Sequence, residues 1–246
     1  MENEVILMIN IKNVTKEYVE GIKAVDNLSI DIKPGEIYGF IGPNGAGKST
    51  TIKMITGITD YTEGEIIING VSSQDDKKMK LQFGYVSDTP DMFLKLKGIE
   101  YLNFLGTIYN VPKDERKNRI VELADKFELT SALGDKIQTY SHGMRQKIMF
   151  IGALLHNPKV WILDEPLTGL DPKSSFTLKE MMKEHANKGN SVFFSTHVLE
   201  VAEKLCDRIG IINKGKLVYE GTMEQIKETY PNLTLEEIFL EITKNV

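Results

Sequence analysis

Nine residues constrain this chain more than any others: Gly42-Pro43-Asn44-Gly45-Ala46-Gly47-Lys48-Ser49-Thr50. An apolar run, Ile37-Tyr38-Gly39-Phe40-Ile41, leads into them, and Thr51-Ile52-Lys53-Met54-Ile55-Thr56-Gly57 follows. The run before reads as a short buried strand, and the run after as a helix stopped by Gly57. G-x-x-x-x-G-K-S between a strand and a helix is the pattern of a phosphate loop. Its glycines let the backbone wrap around phosphate oxygens, with successive N–H groups pointing inward. The helix N-terminus adds partial positive charge. All nine residues, Gly42 to Thr50, are expected to cradle a nucleotide. Lys48 would reach the β- and γ-phosphates, and the Ser49 hydroxyl would ligate Mg²⁺.

Such a loop needs a sheet and flanking helices around it, and 246 residues suffice for one domain with a lobe inserted. The formal net charge is −5, which argues against a nucleic-acid partner. The single cysteine, Cys206, excludes an intrachain disulfide framework and fits a reducing compartment. It reads as a small buried apolar residue. No apolar stretch is long enough to span a bilayer. Val5 to Ile9 is apolar, but Glu2 and Glu4 precede it where a signal peptide would be basic. The expected place of work is the cytoplasm. Any action at a membrane would require another chain to supply the span.

In order, residues 5–11 and 14–19 read as two strands bent at Lys12-Asn13. Ala24 to Ile32 reads as a half-buried strand facing inward with Val25, Leu28, Ile30 and Ile32. Glu65 to Asn69 and Phe83 to Val86 are further strands. From 89 to 157 the chain reads as helical, in three pieces: Ile99 to Tyr109, Lys113 to Phe127 and Ser141 to Leu155. Val160 to Leu163 is wholly apolar, as a strand covered on both faces is. A helix over 172–188, a strand over 191–195 and a helix over 198–207 follow. Strands at 209–212 and 216–219 and helices at 222–229 and 234–243 finish the chain. The alternation predicts an α/β fold.

Four further residues carry chemistry. The run Val160–Leu163 delivers Asp164 and Glu165 to the strand end, where ligands of open α/β sheets bind. Asp164 is expected to hold Mg²⁺, and Glu165 to orient and polarise the water that attacks the γ-phosphate. Val192-Phe193-Phe194-Ser195-Thr196-His197 repeats the arrangement, and His197 could donate to the γ-phosphate. Tyr18, at the end of the second strand, has a flat ring suited to stacking on adenine.

Together with the phosphate loop, four stretches carry a resemblance: Tyr140-Ser141-His142-Gly143-Met144-Arg145-Gln146-Lys147, Ile162 to Pro166, Leu167-Thr168-Gly169-Leu170-Asp171, and Ser195-Thr196-His197. Their order and spacing, over about residues 5 to 221, resemble an ABC-type ATPase. Specifically, the chain resembles the nucleotide-binding subunit of an ABC transporter. Leu233 to Leu240 is similar to tails of bacterial type-2 class exporters.

The resemblance implies a P-loop fold of ABC type. That fold has a RecA-like mixed-sheet core, an N-terminal antiparallel β subdomain and an inserted helical subdomain. Residues 1–87 and 158–221 would form the core, 88–157 the helical lobe and 222–246 a helical tail. It also implies a head-to-tail dimer, with itself or with another ABC subunit, closing two ATP molecules between the chains. Ser141 and Gly143 would contact the γ-phosphate held by the partner's phosphate loop, and Asp171 would reach across beside it. A membrane-spanning permease would be the other partner, placing the chain on the cytoplasmic face of the cell membrane. The alternative is an ABC ATPase outside transport, in iron–sulfur assembly, repair or ribosome function.

Two departures stand out. The usual L-S-G-G-Q signature is Tyr140-Ser141-His142-Gly143-Met144 here, keeping Ser141 and Gly143. The glutamine usual after the short strand is absent, and Asp88 stands there. Asp88 either joins Asp164 and Glu165 near nucleotide and Mg²⁺, or caps a turn at Thr89-Pro90.

Overall fold

The computed structural model describes residues 7–91 and 93–244. Two sheets organise them. The first is antiparallel and four-stranded, built from β1 (Ile9–Val19), β2 (Ile22–Ile32), β4 (Glu63–Ile68) and β5 (Val71–Ser72) in the order β2-β1-β4-β5. The second has six strands: β3 (Ile37–Ile41), β6 (Phe83–Val86), β7 (Val160–Leu163), β8 (Ser191–Thr196), β9 (Arg208–Asn213) and β10 (Lys216–Thr222). Its order is β10-β9-β3-β8-β7-β6, with every pairing parallel except β9–β10. β3, β7 and β8 are buried along their whole length, as central parallel strands covered on both faces must be.

The structure differs from the sequence reading in local detail. The two strands expected over 5–11 and 14–19 are a single strand from Ile9, and residues 5 and 6 lie outside those described. Asn13 takes a left-handed φ of 49° and the pairing register shifts beside it. The strand therefore bends without breaking. In β2, Val25, Leu28, Ile30 and Ile32 all face the core. The three-residue step from 25 to 28 crosses Asn27, whose φ of 52° absorbs the extra residue as a bulge.

The helices are α1 (Lys48–Ile55), α2 (Asp76–Lys80), α3 (Gly98–Ile108), α4 (Lys113–Lys126) and α5 (His142–Leu154), then α6 (Pro172–Asn187), α7 (Leu199–Leu205), α8 (Met223–Thr229) and α9 (Leu235–Lys244). α1 stops at Gly57, where φ is 67°. α2 has no counterpart among the expected elements. It is a single turn capped by Asp75, too short to show a helical period.

Helices α3 to α5 do not form a separate core. Leu102, Ile120 and Phe150 from them, with Phe127 just after α4, share one apolar cluster with Trp161 of β7 and Phe194 of β8. Phe150 meets Trp161 edge-on, 6.2 Å between ring centroids. Each such buried side chain contributes about 1.5–3 kcal/mol, so the helical segment is fastened to the sheet by its packing. A second cluster joins the inner face of the antiparallel sheet to α1 and to the other face of the parallel sheet.

Candidate active site

The C-terminal ends of β3, β7 and β8 meet at one edge of the parallel sheet. β3 feeds directly into Gly42, β7 into Asp164 and Glu165, and β8 into His197. The phosphate loop is pressed hard against its surroundings. A Cβ at Gly42 would stand 2.4 Å from the Ile212 carbonyl oxygen, so no side chain fits. Gly47 takes φ 112° as the residue capping α1, and a Cβ there would lie 2.8 Å from the Ala24 carbonyl.

Lys48 is 6% exposed. Its ammonium donates to the carbonyls of Gly42 at 2.7 Å and Pro43 at 3.3 Å, and lies 3.4 Å from Glu165 Oε1. Asn44, Gly45, Lys48, Ser49, Asp88 and Glu165 line one open pocket at this edge, with Pro43, Gly47 and Thr50 beside them.

Asp164 is 1% exposed. Burial raises its carboxyl above the usual range. The Ser195 and Ser49 hydroxyls oppose that shift, and the negative charges of Asp88 and Glu165 add to it. The fully buried Ser195 hydroxyl donates to Asp164 Oδ1 at 2.6 Å and accepts the Glu165 N–H at 2.9 Å. Glu165 itself sits at φ 46°, in the left-handed region. Its Oε2 lies 2.9 Å from Nδ1 of the exposed His197.

Asp88 stands at the edge of both surroundings. It lines the phosphate pocket, and its Oδ1 accepts the Thr89 hydroxyl at 3.1 Å. Glu165 thus faces Lys48, Asp164 faces the Ser49 hydroxyl, and Asp88 lines the same pocket. Among the described residues no group of three or more His, Cys, Asp or Glu side chains could hold a metal by itself. This donor set still fits Mg²⁺, a hard cation that takes one or two protein oxygens and completes its shell with water and phosphate.

The remaining expected residues lie elsewhere. Ser141 caps α5, accepting the Met144 N–H at 3.3 Å. Gly143 lies against the Gly169 carbonyl, and the His142 ring packs on Gly169. Asp171 caps α6, and the hydroxyl and N–H of Ser174 hold its carboxyl down at about 2. Lys147 lies 3.7 Å from it. Ser141, Gly143 and Asp171 do not line the phosphate pocket of their own chain. Tyr18 is 58% exposed, with the Lys16 ammonium 4.9 Å from its ring centroid, and is also outside that lining.

Sequence reasoning passes over Ser195 as a site residue. The signal is present: a hydroxyl directly after Val192-Phe193-Phe194 in a strand buried on both faces must find a partner.

The ABC transporter family model matches residues 25–168. The ABC-type transporter ATP-binding protein EcsA of Bacillus subtilis (strain 168) is 35% identical over 240 residues, covering 96% of this chain and 97% of that protein. The linearmycin resistance ATP-binding protein LnrL of the same organism is 39% identical over 217 residues, covering 87% and 69%. Among solved structures, an ATP-binding subunit of an ABC transporter superposes with TM-score 0.91 at 32% identity, covering 96% of this chain and 99% of that one. A dimeric ATP-binding cassette in a post-hydrolysis state, bound to ADP and Pi, superposes with TM-score 0.79 at 29% identity, covering 88% and 99%.

The fold, with its phosphate loop and acidic strand end, is that of an ATP-binding cassette ATPase. This chain belongs to the ABC transporter family, as an ATP-binding subunit.

Proposed function

We propose that this chain hydrolyses ATP to drive a separate membrane-spanning subunit, as an exporter component, working as a dimer of two copies on the cytoplasmic face of the membrane. The observation that carries the reading is the convergence of Lys48, Ser49, Asp164, Glu165 and His197 at one sheet edge. The amides of Gly45 to Ser49 and the N-terminus of α1 would hold the phosphates. Lys48 would exchange its carbonyl partners and Glu165 for phosphate oxygens. Ser49 and Asp164 would hold Mg²⁺, which supplies charge neutralisation at the β- and γ-phosphates. Glu165, released from Lys48 and still oriented by His197, would polarise the attacking water, and His197 would donate to the γ-phosphate. Tyr18 would stack on adenine, and Asp88 would act on the cation through water.

Ser141, Gly143 and Asp171 complete the partner's site in this reading, since each stands outside its own phosphate pocket. Residues 1–87 and 158–221 then act as the catalytic core, 88–157 as the lobe that passes motion on, and 222–246 as a tail. An apolar groove supports transport over the non-transport alternative. Ile58, Tyr85, Phe93, Tyr101, Leu105 and Tyr109 line it, and Phe93 and Ile58 are substantially exposed there. Ser87 lines the same groove while its neighbour Asp88 lines the phosphate pocket. A membrane subunit seated in the groove would therefore touch the loop that senses nucleotide. Among the described residues no helix is long and apolar enough to cross a membrane.

The test is Glu165→Gln. Turnover is expected to fall about 10²–10⁴-fold, with ATP still bound. The variant should elute as a dimer in ATP and as a monomer without it. Retained turnover would sink the role of Glu165, and a strictly monomeric variant at high protein concentration would sink the sandwich. Tagged wild-type chain should recover a multi-span membrane protein from detergent-solubilised membranes, and recovery of none would sink the transport reading.

A further inference from the structure

We infer that Ser195 is a positioning residue for hydrolysis, because its one hydroxyl ties the Asp164 carboxylate to the Glu165 backbone. The inference rests on the ATPase reading above and adds a residue to which that reading gives no role.

Register explains why the hydroxyl is there. Leu163 of β7 pairs with Phe194 of β8. The next residues along both strands, Asp164 and Ser195, therefore lie side by side at the point where β7 ends. Ser195 is fully buried, so its hydroxyl must be satisfied by protein groups. A serine hydroxyl has one proton to give and lone pairs to receive. The backbone N–H of Glu165 can only donate, so it takes a lone pair, at 2.9 Å. The proton then goes to Asp164 Oδ1, at 2.6 Å. The directions of both bonds are forced, and the Asp164 carboxylate is anchored through one named oxygen.

The second bond has a conformational consequence. Glu165 holds φ 46°, a left-handed conformation that an L-residue adopts only when its surroundings hold it there. Its N–H bond to Ser195 is one such restraint, and the Thr168 N–H donating to the Glu165 carbonyl at 3.2 Å is another. In this conformation the Glu165 carboxylate lies 2.9 Å from His197 Nδ1 and 3.4 Å from Lys48 Nζ. His197 follows Ser195 by two residues at the same strand end. One hydroxyl on β8 thus sets the residue expected to hold the cation and the residue expected to polarise water. It is fully buried and does not line the phosphate pocket itself.

The test compares the full-length wild type with Ser195→Ala, Ser195→Cys and Ser195→Thr. Four readouts are taken: thermal melting, affinity for a fluorescent ATP analogue without Mg²⁺, the gain in that affinity when Mg²⁺ is added, and steady-state hydrolysis. Ser195→Ala and Ser195→Cys should keep the Mg²⁺-free affinity within about twofold, because the phosphate loop is untouched. Their kcat should fall about 10- to 100-fold, and most of the Mg²⁺-dependent gain should vanish. Ser195→Thr keeps the hydroxyl and should retain kcat within about threefold.

Wild-type kcat in Ser195→Ala or Ser195→Cys would overturn the inference. So would a loss of kcat matched by an equal loss of Mg²⁺-free affinity, since that pattern belongs to general packing. Should the added methyl of Ser195→Thr lower the melting temperature, Ser195→Cys decides alone, because it preserves volume and removes the strong donor. A wild-type chain with no hydrolysis would overturn the ATPase reading itself, a separate outcome.

Discussion

The phosphate loop and the stretch around Ser141 both sit at helix N-termini, yet their surroundings are opposite. Around Lys48 the chain closes in on itself. The ammonium has two carbonyls and a carboxylate as partners, and Gly42 and Gly47 have no room for a side chain. Around Ser141 the chain satisfies its own helix ends and goes no further. Ser141 caps α5, Asp171 caps α6, and neither reaches the phosphate pocket of its own chain. One end has most of the groups a nucleotide needs. The other presents satisfied caps and an exposed His142 to the outside. The contrast is what a site divided between two chains would look like in one of them.

The loss of turnover expected for Glu165→Gln is the largest effect and acts on the phosphate-loop side alone. It separates binding from hydrolysis without disturbing Ser141. Stability should also depend on pH, through two buried histidines away from both regions. His156 follows the end of α5 and His185 lies near the end of α6, the two helices capped by Ser141 and Asp171. Burial pulls both imidazoles down from 6.5 to about 4. The folded state keeps them neutral while the unfolded state protonates below pH 6.5. Their full contribution is present above pH 6.5 and is lost as pH falls toward 4. Each should cost about 2 kcal/mol of stability between pH 6.5 and 5. Denaturant melts at the two pH values check this. The pH slope should flatten in His185→Phe, and an unchanged slope would remove His185 from the account.

Tyr18 tests whether the phosphate-loop side extends to the base. Tyr18→Ala should weaken ATP binding by about 1–3 kcal/mol, while Tyr18→Phe should bind almost normally. Calorimetric titration distinguishes the two, and equal losses would assign the effect to the hydroxyl. The smallest effect belongs to Asp88, at the boundary between pocket and groove. Asp88→Ala should lower turnover a few-fold and raise the Mg²⁺ needed for half-maximal rate, with ATP affinity little changed. Asp88→Asn should fall between. Superimposable curves of rate against free Mg²⁺ would make Asp88 a loop cap held by Thr89 and nothing more.

The phosphate loop is legible in the amino-acid sequence because it is a local object: strand, glycines, lysine and helix are consecutive, so one short window specifies it. Asp164-Glu165 and His197 are legible because each ends an apolar run, and such strands point their last residues at one edge. Ser195 is not legible as a site residue because its partners are 31 and 30 residues away and its meaning depends on strand register. The bulge at Asn27 is hidden likewise, since a left-handed φ leaves the apolar pattern almost intact. Asp88 falls between two readings because it both lines the phosphate pocket and accepts the Thr89 hydroxyl.

The claim that two half-sites need each other has a direct test by mixing. Lys48→Ala should be inactive because its phosphate loop fails. Ser141→Arg should be inactive because its bulk and charge block the closing face. A pair formed from the two variants contains one intact composite site, with Lys48 from one chain and Ser141 from the other. Mixing the two inactive proteins should therefore restore ATP hydrolysis well above the sum of their separate rates. A mixture no more active than that sum would contradict the account, because each chain would then be shown to work, or fail, alone.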